Sequence, residues 1–70
     1  MNPNIALKAA ILQTGIKQGF LATVAGIDPT RLSKIIHGHV QPAEIERTRI
    51  SEVLNIPLNE LFPEDNDESR

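Results

Sequence analysis

Glycine, asparagine and proline residues that end or begin helices recur at short intervals along the chain, and they restrict it to short helices. Residues that tolerate the left-handed backbone of a helix end follow apolar segments at Gly15, Gly26, Gly38 and Asn55. Prolines, which fit the first turn of a helix, stand at Pro3, Pro29, Pro42 and Pro57. No segment alternates apolar and polar residues as a half-buried strand does. The pattern predicts an all-α fold, a compact bundle of five short helices.

The spacing of apolar residues predicts where these helices lie and which faces they bury. We expect helices over residues 4–14, 18–25, 29–37, about 42–54 and 58–62. Asp28 before Pro29 is the clearest start signal, since a carboxylate oxygen accepts bonds from free amides of the first turn. The side chains expected in the core are Ile5, Leu7, Ala10, Ile11, Leu21, Ala22, Ala25, Ile27, Leu32, Ile35, Ile36, Ile50, Val53, Leu54, Leu58, Leu61 and Phe62.

Length and charge indicate one domain followed by a short tail. A chain of 70 residues has room for a single core. Residues 1–63 hold every periodic segment and form the expected domain, whereas the polar, acidic residues 64–70 are expected to be a disordered tail. The net charge of −2 reflects that tail, because six lysines and arginines oppose five acidic residues through Pro63. The net charge therefore does not exclude a nucleic-acid partner.

Composition disfavours several other classes of protein. Cysteine is absent, which excludes disulfides and thiolate metal sites and favours a reducing, cytoplasmic compartment. The mainly apolar residues 5–12 are far fewer than the roughly 20 that span a bilayer, and residues 1–4 lack the charge of a secretory signal, so we expect neither membrane association nor export. His37 and His39 have no third ligand at suitable spacing, so no metal or cofactor is expected. No catalytic motif occurs, and we expect no enzyme.

The third predicted helix has an outer face suited to double-stranded DNA. Within residues 15–40 the only acid is Asp28, so positive charge is concentrated there. A step of about 100° per residue from the inward stripe identifies the opposite face. That face comprises Thr30, Lys34 and His37, with Arg31 and Ser33 on its flanks. A helix of this kind fits the major groove, which is wide enough for one helix.

A turn at Gly26-Ile27-Asp28 joins the second and third helices, and the residues around it carry a family resemblance. The relevant segments are Gly15-Ile16-Lys17-Gln18, Leu21-Ala22, Gly26-Ile27-Asp28-Pro29, Leu32-Ser33-Lys34-Ile35 with Gly38, Pro42, and Leu54-Asn55-Ile56-Pro57-Leu58-Asn59-Glu60-Leu61-Phe62. In order and spacing, residues 7–62 resemble the Cro/CI-type (XRE-like) helix-turn-helix repressors. The resemblance implies a lambda-repressor-like DNA-binding domain, with the helix-turn-helix formed by helices 2 and 3.

The resemblance also implies roles for individual residues. Gln18 corresponds to a glutamine that binds a phosphate, while Pro29, Thr30 and Lys34 correspond to positions that contact base edges. Because Pro29 offers only apolar contact, we expect Thr30, Arg31, Ser33 and Lys34 to make the polar base contacts. Phosphate contacts are expected from the loop after the recognition helix and from the start of helix 2. The DNA-binding residues predicted in this way are Lys17, Gln18, Pro29, Thr30, Arg31, Ser33, Lys34, His37 and His39, with the Val40 amide.

Two departures from the family pattern lead to further expectations. Ile11 and Ile36 occupy positions where many members have an Arg–Glu ion pair, and replacing such a pair by packed apolar groups is commonly neutral or stabilising. We expect these two side chains to touch. Lys17 replaces the usual Ser or Thr cap, which gives up about 1 kcal/mol of capping and places a cation near a phosphate.

These observations predict a sequence-specific DNA-binding regulator, repressor-like, acting as a homodimer on a two-fold operator. A dimer would place two recognition helices about 34 Å apart, one turn of duplex. The alternative is an antitoxin-like module that mainly holds a protein partner, which the acidic tail and low total charge favour. Two residue assignments also stay open: Arg31 and Lys34 can form a solvated face, and Thr30 can support the helix start. A dimer face is the alternative to a core position for four residues: Ile45, Ile56, Leu58 and Phe62.

Overall fold

The computed structural model describes residues 3–63 and contains five helices there, with no strand among these residues. The helices are α1 (Ile5–Thr14), α2 (Gln18–Ala25), α3 (Pro29–Ile36), α4 (Glu44–Leu54) and α5 (Leu58–Leu61). The all-α class and all five predicted helices are confirmed, with boundaries shifted by one or two residues. The expected tail, residues 64–70, lies outside the described residues.

Local capping explains several of these boundaries. Asn4 caps α1, since its Oδ1 accepts a hydrogen bond from the Leu7 amide at 2.9 Å. Gly26 ends α2 with φ +72°, and Asn55 ends α4 with φ +58°, both in the left-handed region predicted for them. α3 ends one residue earlier than expected, because His37 already leaves the helix as its C-cap.

The prediction that the Asp28 side chain caps α3 is wrong. Asp28 holds the N-cap position, but its side chain makes no capping hydrogen bond. The helix starts on the backbone instead: the Leu32 amide donates to the Asp28 carbonyl at 2.9 Å, and Pro29 in the first turn needs no amide partner.

One hydrophobic core runs through the bundle. Its buried members are Leu7, Ala10, Ile11, Leu21, Ala22, Ala25, Ile27, Leu32, Ile35, Ile36, Ile50, Leu54, Leu61 and Phe62. Ile11 and Ile36 both belong to this core, as expected, while the direct contact between them stays a prediction.

Three expected core residues lie elsewhere. Ile5 is wrong as a core residue: its side chain is 73% exposed, because it precedes the buried stripe of α1 by about half a turn. Leu58 opens the short α5 and is 37% exposed, since Leu61 and Phe62 already fill the core at that end. Val53 is only partly buried and packs against the core from its edge.

α2 lies at the centre of the part of the bundle that contains α3 and α4. α3 and α4 both pack on α2, and α1 packs on α5, α3 and α4. The residue before α1 is bonded to α5, because the Asn4 amide nitrogen Nδ2 donates to the Leu61 carbonyl at 2.9 Å. This arrangement leaves one side of α3 uncovered. Within residues 3–63, no helix has both the length and the apolar character needed to cross a bilayer.

Candidate nucleic-acid interface

The turn between α2 and α3 is fixed by backbone hydrogen bonds and one buried side chain. The Ile27 amide donates to the Ala22 carbonyl at 2.9 Å, and the Gly26 amide donates to the Thr23 carbonyl at 3.2 Å. The Ile27 side chain enters the core and is 5% exposed, as predicted for a pivot. Both hydrogen bonds return to carbonyls of α2, so they fix the end of that helix, and the buried Ile27 side chain fixes the turn against the core.

The faces of α3 are those predicted from its sequence. Leu32, Ile35 and Ile36 are buried against the core. The opposite side is exposed at Thr30 and Lys34, and the C-cap His37 continues it. The flanking residues Arg31 and Ser33, together with the exposed Pro29 at the helix start, complete the surface.

Lys34 is the cation most available on this surface. Among residues 3–63, no hydrogen bond or ion pair engages its ammonium group, and none engages the Thr30 hydroxyl. Lys17 and Gln18 at the start of α2 are also exposed, and Lys17 makes no side-chain capping bond, as expected. These four side chains remain able to bind a ligand.

Arg31 differs from this expectation, because an acid engages it. Its Nε donates to Glu46 Oε2 at 2.6 Å, and its Nη2 donates to Glu46 Oε1 at 2.9 Å. Asp28 is the only acid within residues 15–40, but Glu46 reaches Arg31 from α4, so the positive charge expected on this face is partly compensated. The fork engages two of the five N–H donors of the guanidinium, so the group cannot change its orientation toward a base edge unless the pair opens.

Glu46 was not predicted as part of the site. Its side chain is 16% exposed, and Oε1 also accepts a hydrogen bond from the Ala43 amide at 2.8 Å. The Arg31 guanidinium, by donating hydrogen bonds, is the main reason that the pKa of Glu46 lies below its usual range. The only sequence signal was an acid at the third residue of α4, a position that commonly bonds back to the cap amide.

The loop after α3 is ordered by local bonds and presents two imidazoles. His37 Nδ1 lies 2.8 Å from the Ser33 carbonyl, and the His39 amide donates to the Lys34 carbonyl at 2.8 Å. The two rings are stacked with centroids 6.4 Å apart. His39 also lines a groove of about 840 Å³ between this loop, the start of α1 and Phe62. Within the described residues no group of three or more metal-ligand side chains comes together.

Comparison with known proteins identifies the arrangement of α2 and α3. A family model described as Helix-turn-helix matches residues 7–61, from the first buried turn of α1 to the end of α5. The matched span thus includes both helices of the angled pair, the loop after α3 and the helices that support them. Neither the curated proteins nor the solved structures gave a match.

Proposed function

The chain belongs to the Cro/CI-type helix-turn-helix family of DNA-binding transcription regulators, and on this basis we propose that it is repressor-like and binds a two-fold operator as a homodimer. In this proposal α3 enters the major groove and α2 lies across the phosphate backbone. Two copies present their recognition helices about 34 Å apart, so the operator is a palindrome with half-sites one turn apart.

The exposed ammonium of Lys34, which no bond among residues 3–63 engages, is the observation that carries the proposed recognition of an operator. It lies on the side of α3 opposite the buried stripe, one helical turn after Thr30. A lysine in the major groove donates to guanine O6 and N7, while a threonine or serine hydroxyl bonds to several bases. We assign base contacts to Thr30, Ser33 and Lys34, with apolar contact from Pro29.

The remaining proposed contacts are to phosphates and position the protein. Lys17 and Gln18 lie at the start of α2, and His37 and His39 lie in the loop that follows α3. The Val40 amide lies in the same loop. Contacts of this kind set register and supply salt-dependent affinity without distinguishing one base pair from another.

Selection of binding sites from random duplex DNA at physiological salt tests the proposed specificity and symmetry. Enrichment of a palindrome with half-sites one turn apart is the expected result. Recovery of random sequences would contradict sequence-specific binding, and recovery of a single non-repeated site would contradict the homodimer.

A variant of Lys34 tests base recognition at one residue. Lys34→Ala is expected to weaken binding to the selected operator by about 1–3 kcal/mol more than binding to random DNA, because a base contact is lost. Titration by gel shift on both duplexes measures the difference. Lys8→Ala, which removes an exposed lysine of α1, is the matched control and should leave the ratio unchanged. Equal losses on both duplexes for Lys34→Ala would contradict base recognition by this residue.

A second candidate function is an antitoxin-like interaction module. It is favoured by apolar side chains on the outer side of α1, where Ile5 is 73% and Leu12 is 74% exposed. Co-purification of a stoichiometric protein that is lost in a Leu12→Glu variant, with DNA affinity insensitive to salt, is expected for this function. A steep salt dependence without such a protein favours the operator-binding function instead.

A further inference from the structure

We propose that Arg31 is a positioning residue rather than a base-contacting one, and that Glu46, by holding it, is a specificity-determining residue of the DNA-binding surface. This inference rests on the proposed operator-binding function and extends it to a residue on α4. The observation behind it is the two-bond fork between the Arg31 guanidinium and the Glu46 carboxylate.

The geometry of the pair restricts both side chains. Nε and Nη2 of Arg31 donate to different oxygens of Glu46, at 2.6 and 2.9 Å, so rotation of either group breaks a bond. Only a guanidinium offers two parallel donors in one plane, whereas a lysine acts as a point charge. The Arg31 side chain is 41% exposed and that of Glu46 is 16% exposed, so the carboxylate lies on the protein side of the pair.

The pair joins two helices that otherwise meet through a third. α3 and α4 both pack on α2 rather than closely on each other, and residues 37–43 connect them. Glu46 Oε1 also accepts a hydrogen bond from the Ala43 amide at the end of this connection. One carboxylate therefore holds the first turn of α3, the end of the loop and the first turn of α4 in a fixed relation.

This relation sets the position of the proposed DNA contacts. Lys34 lies about one turn beyond Arg31 on α3, while His39 lies in the loop closed by the Glu46 bonds. If the pair is absent, the base-contacting helix and the phosphate-contacting loop can shift relative to each other. Because operator binding requires both sets of contacts at once, such a shift weakens operator binding more than binding to random DNA.

Glu46 also limits electrostatic attraction between the protein and DNA of any sequence. A free guanidinium on the flank of α3 adds a cation that can neutralise a phosphate of any duplex. In the pair, that charge is compensated by Glu46, and the first turn of a helix favours the ionised carboxylate. The specificity of the surface therefore depends on an acid that is itself not expected to touch DNA.

The test compares Arg31→Met, Glu46→Gln and the double variant in the full chain, on the selected operator and on random duplex at several salt concentrations. We expect each single variant to lose about tenfold in operator affinity. The double variant should lose no more than the single variant with the larger loss, because all three variants remove the same interaction. Glu46→Gln should also bind random DNA more tightly. The salt slope of Arg31→Met should equal that of the wild type, since no phosphate contact is lost.

Direct base or phosphate contact by Arg31 predicts the opposite results. Glu46→Gln would then strengthen operator binding by freeing the guanidinium, and Arg31→Met would reduce the salt slope by about 1. Arg31→Lys adds a further distinction: it keeps the charge but cannot form the fork, so we expect it to lose operator affinity like Arg31→Met. Wild-type affinity in Arg31→Lys would overturn the inference.

Controls separate positioning from loss of folding. Glu44→Gln removes an exposed acid of the same first turn of α4 and should retain the wild-type affinity ratio. Each variant is compared at a temperature at which circular dichroism shows it fully folded, and equal losses on operator and random DNA there would overturn the inference. If the wild type prefers no duplex, the proposed function and this inference are both overturned. If the wild type prefers the operator and the variants keep the same preference over random DNA, only the inference is overturned.

Discussion

At the scale of single residues, Gly26 provides the backbone conformation on which the turn between α2 and α3 depends. Its φ of +72° is costly for most residues with a Cβ atom. A Cβ added there would lie 3.2 Å from Nη1 of Arg49, the movable end of a long side chain. The backbone angle, rather than lack of space, is therefore the main reason for glycine at this position.

Gly26→Ala is expected to destabilise the folded chain by about 1–2 kcal/mol because of this backbone angle. Gly19→Ala is the matched control, since Gly19 lies in α2 and an added Cβ meets nothing within 4 Å. The control should increase stability by up to about 1 kcal/mol through helix propensity. Urea unfolding followed by circular dichroism measures both changes, and an unchanged free energy of unfolding in Gly26→Ala would argue against strain at the turn.

The Arg31–Glu46 pair also predicts a pH dependence. Hydrogen bonds from Arg31 are the largest cause of the lowered pKa of Glu46, the Ala43 amide and the charge of Arg49 act in the same direction, and burial opposes them. Because the pKa is lower in the folded state, this stabilisation is complete above the ordinary pKa of a glutamate and is lost as pH falls through the folded value.

We therefore expect the free energy of unfolding to fall more steeply between neutral pH and pH about 3 in the wild type than in Glu46→Gln. The glutamine variant has no carboxylate to protonate at this position. Chemical unfolding at a series of pH values measures the two curves, and Glu44→Gln serves as the control for removal of an exposed acid. Parallel curves for wild type and Glu46→Gln would indicate that the pair contributes nothing to stability.

At the scale of helices, Asn4 connects the start of α1 to two other parts of the fold. Its Oδ1 caps α1 through the Leu7 amide, and its Nδ2 donates to the Leu61 carbonyl of α5. Its backbone amide donates to the Ile36 carbonyl at 2.8 Å, at the end of α3. One side chain thus combines a local capping role with a contact between the two ends of the domain.

Substitution can separate these two roles. Asn4→Ala is expected to cost about 1–3 kcal/mol, because it removes the cap and leaves the Leu61 carbonyl without this donor. Asn4→Asp keeps the capping oxygen and should lose less, since an acid is favourable at a helix start. Thermal and urea unfolding give both values. Equal losses in the two variants would assign the stabilisation to the Leu61 bond and contradict the capping contribution.

At the scale of the whole molecule, charge is divided between the domain and its tail. The chain has a net charge of −2, yet residues 1–63 have six lysines and arginines against five acids, a formal charge of +1. Since DNA attracts positive and repels negative charge, residues 64–70 are expected to weaken binding to any duplex. We propose that residues 1–63 form the DNA-binding domain and that the acidic segment adds only this electrostatic effect.

Removal of residues 64–70 is accordingly expected to increase affinity for operator and random DNA by the same factor, without changing the free energy of unfolding. The increase should shrink as salt concentration rises, because exposed charges are then screened. Binding titrations at two salt concentrations, with parallel unfolding experiments, measure these effects. A gain confined to one duplex, or a loss of stability, would show that the segment has a specific contact.

Local features of the sequence determined the helices and the outer face of α3. Helix ends depend on residues within one turn, such as Asn4, Gly26 and Asn55, so their types locate the boundaries to within one or two residues. The inward stripe of α3 follows from helical periodicity, which also identifies the exposed positions of Thr30 and Lys34. The order of these segments was enough to identify the family, because turn, helix lengths and core spacing occur together.

Only the tertiary structure decided which of these surface residues remain available. Arg31 and Glu46 are fifteen positions apart on different helices, and no helical period relates them. Their pairing depends on the packing of α3 and α4 against α2. Periodicity determines on which side of its own helix a residue lies, but the relative positions of the helices determine what that side meets.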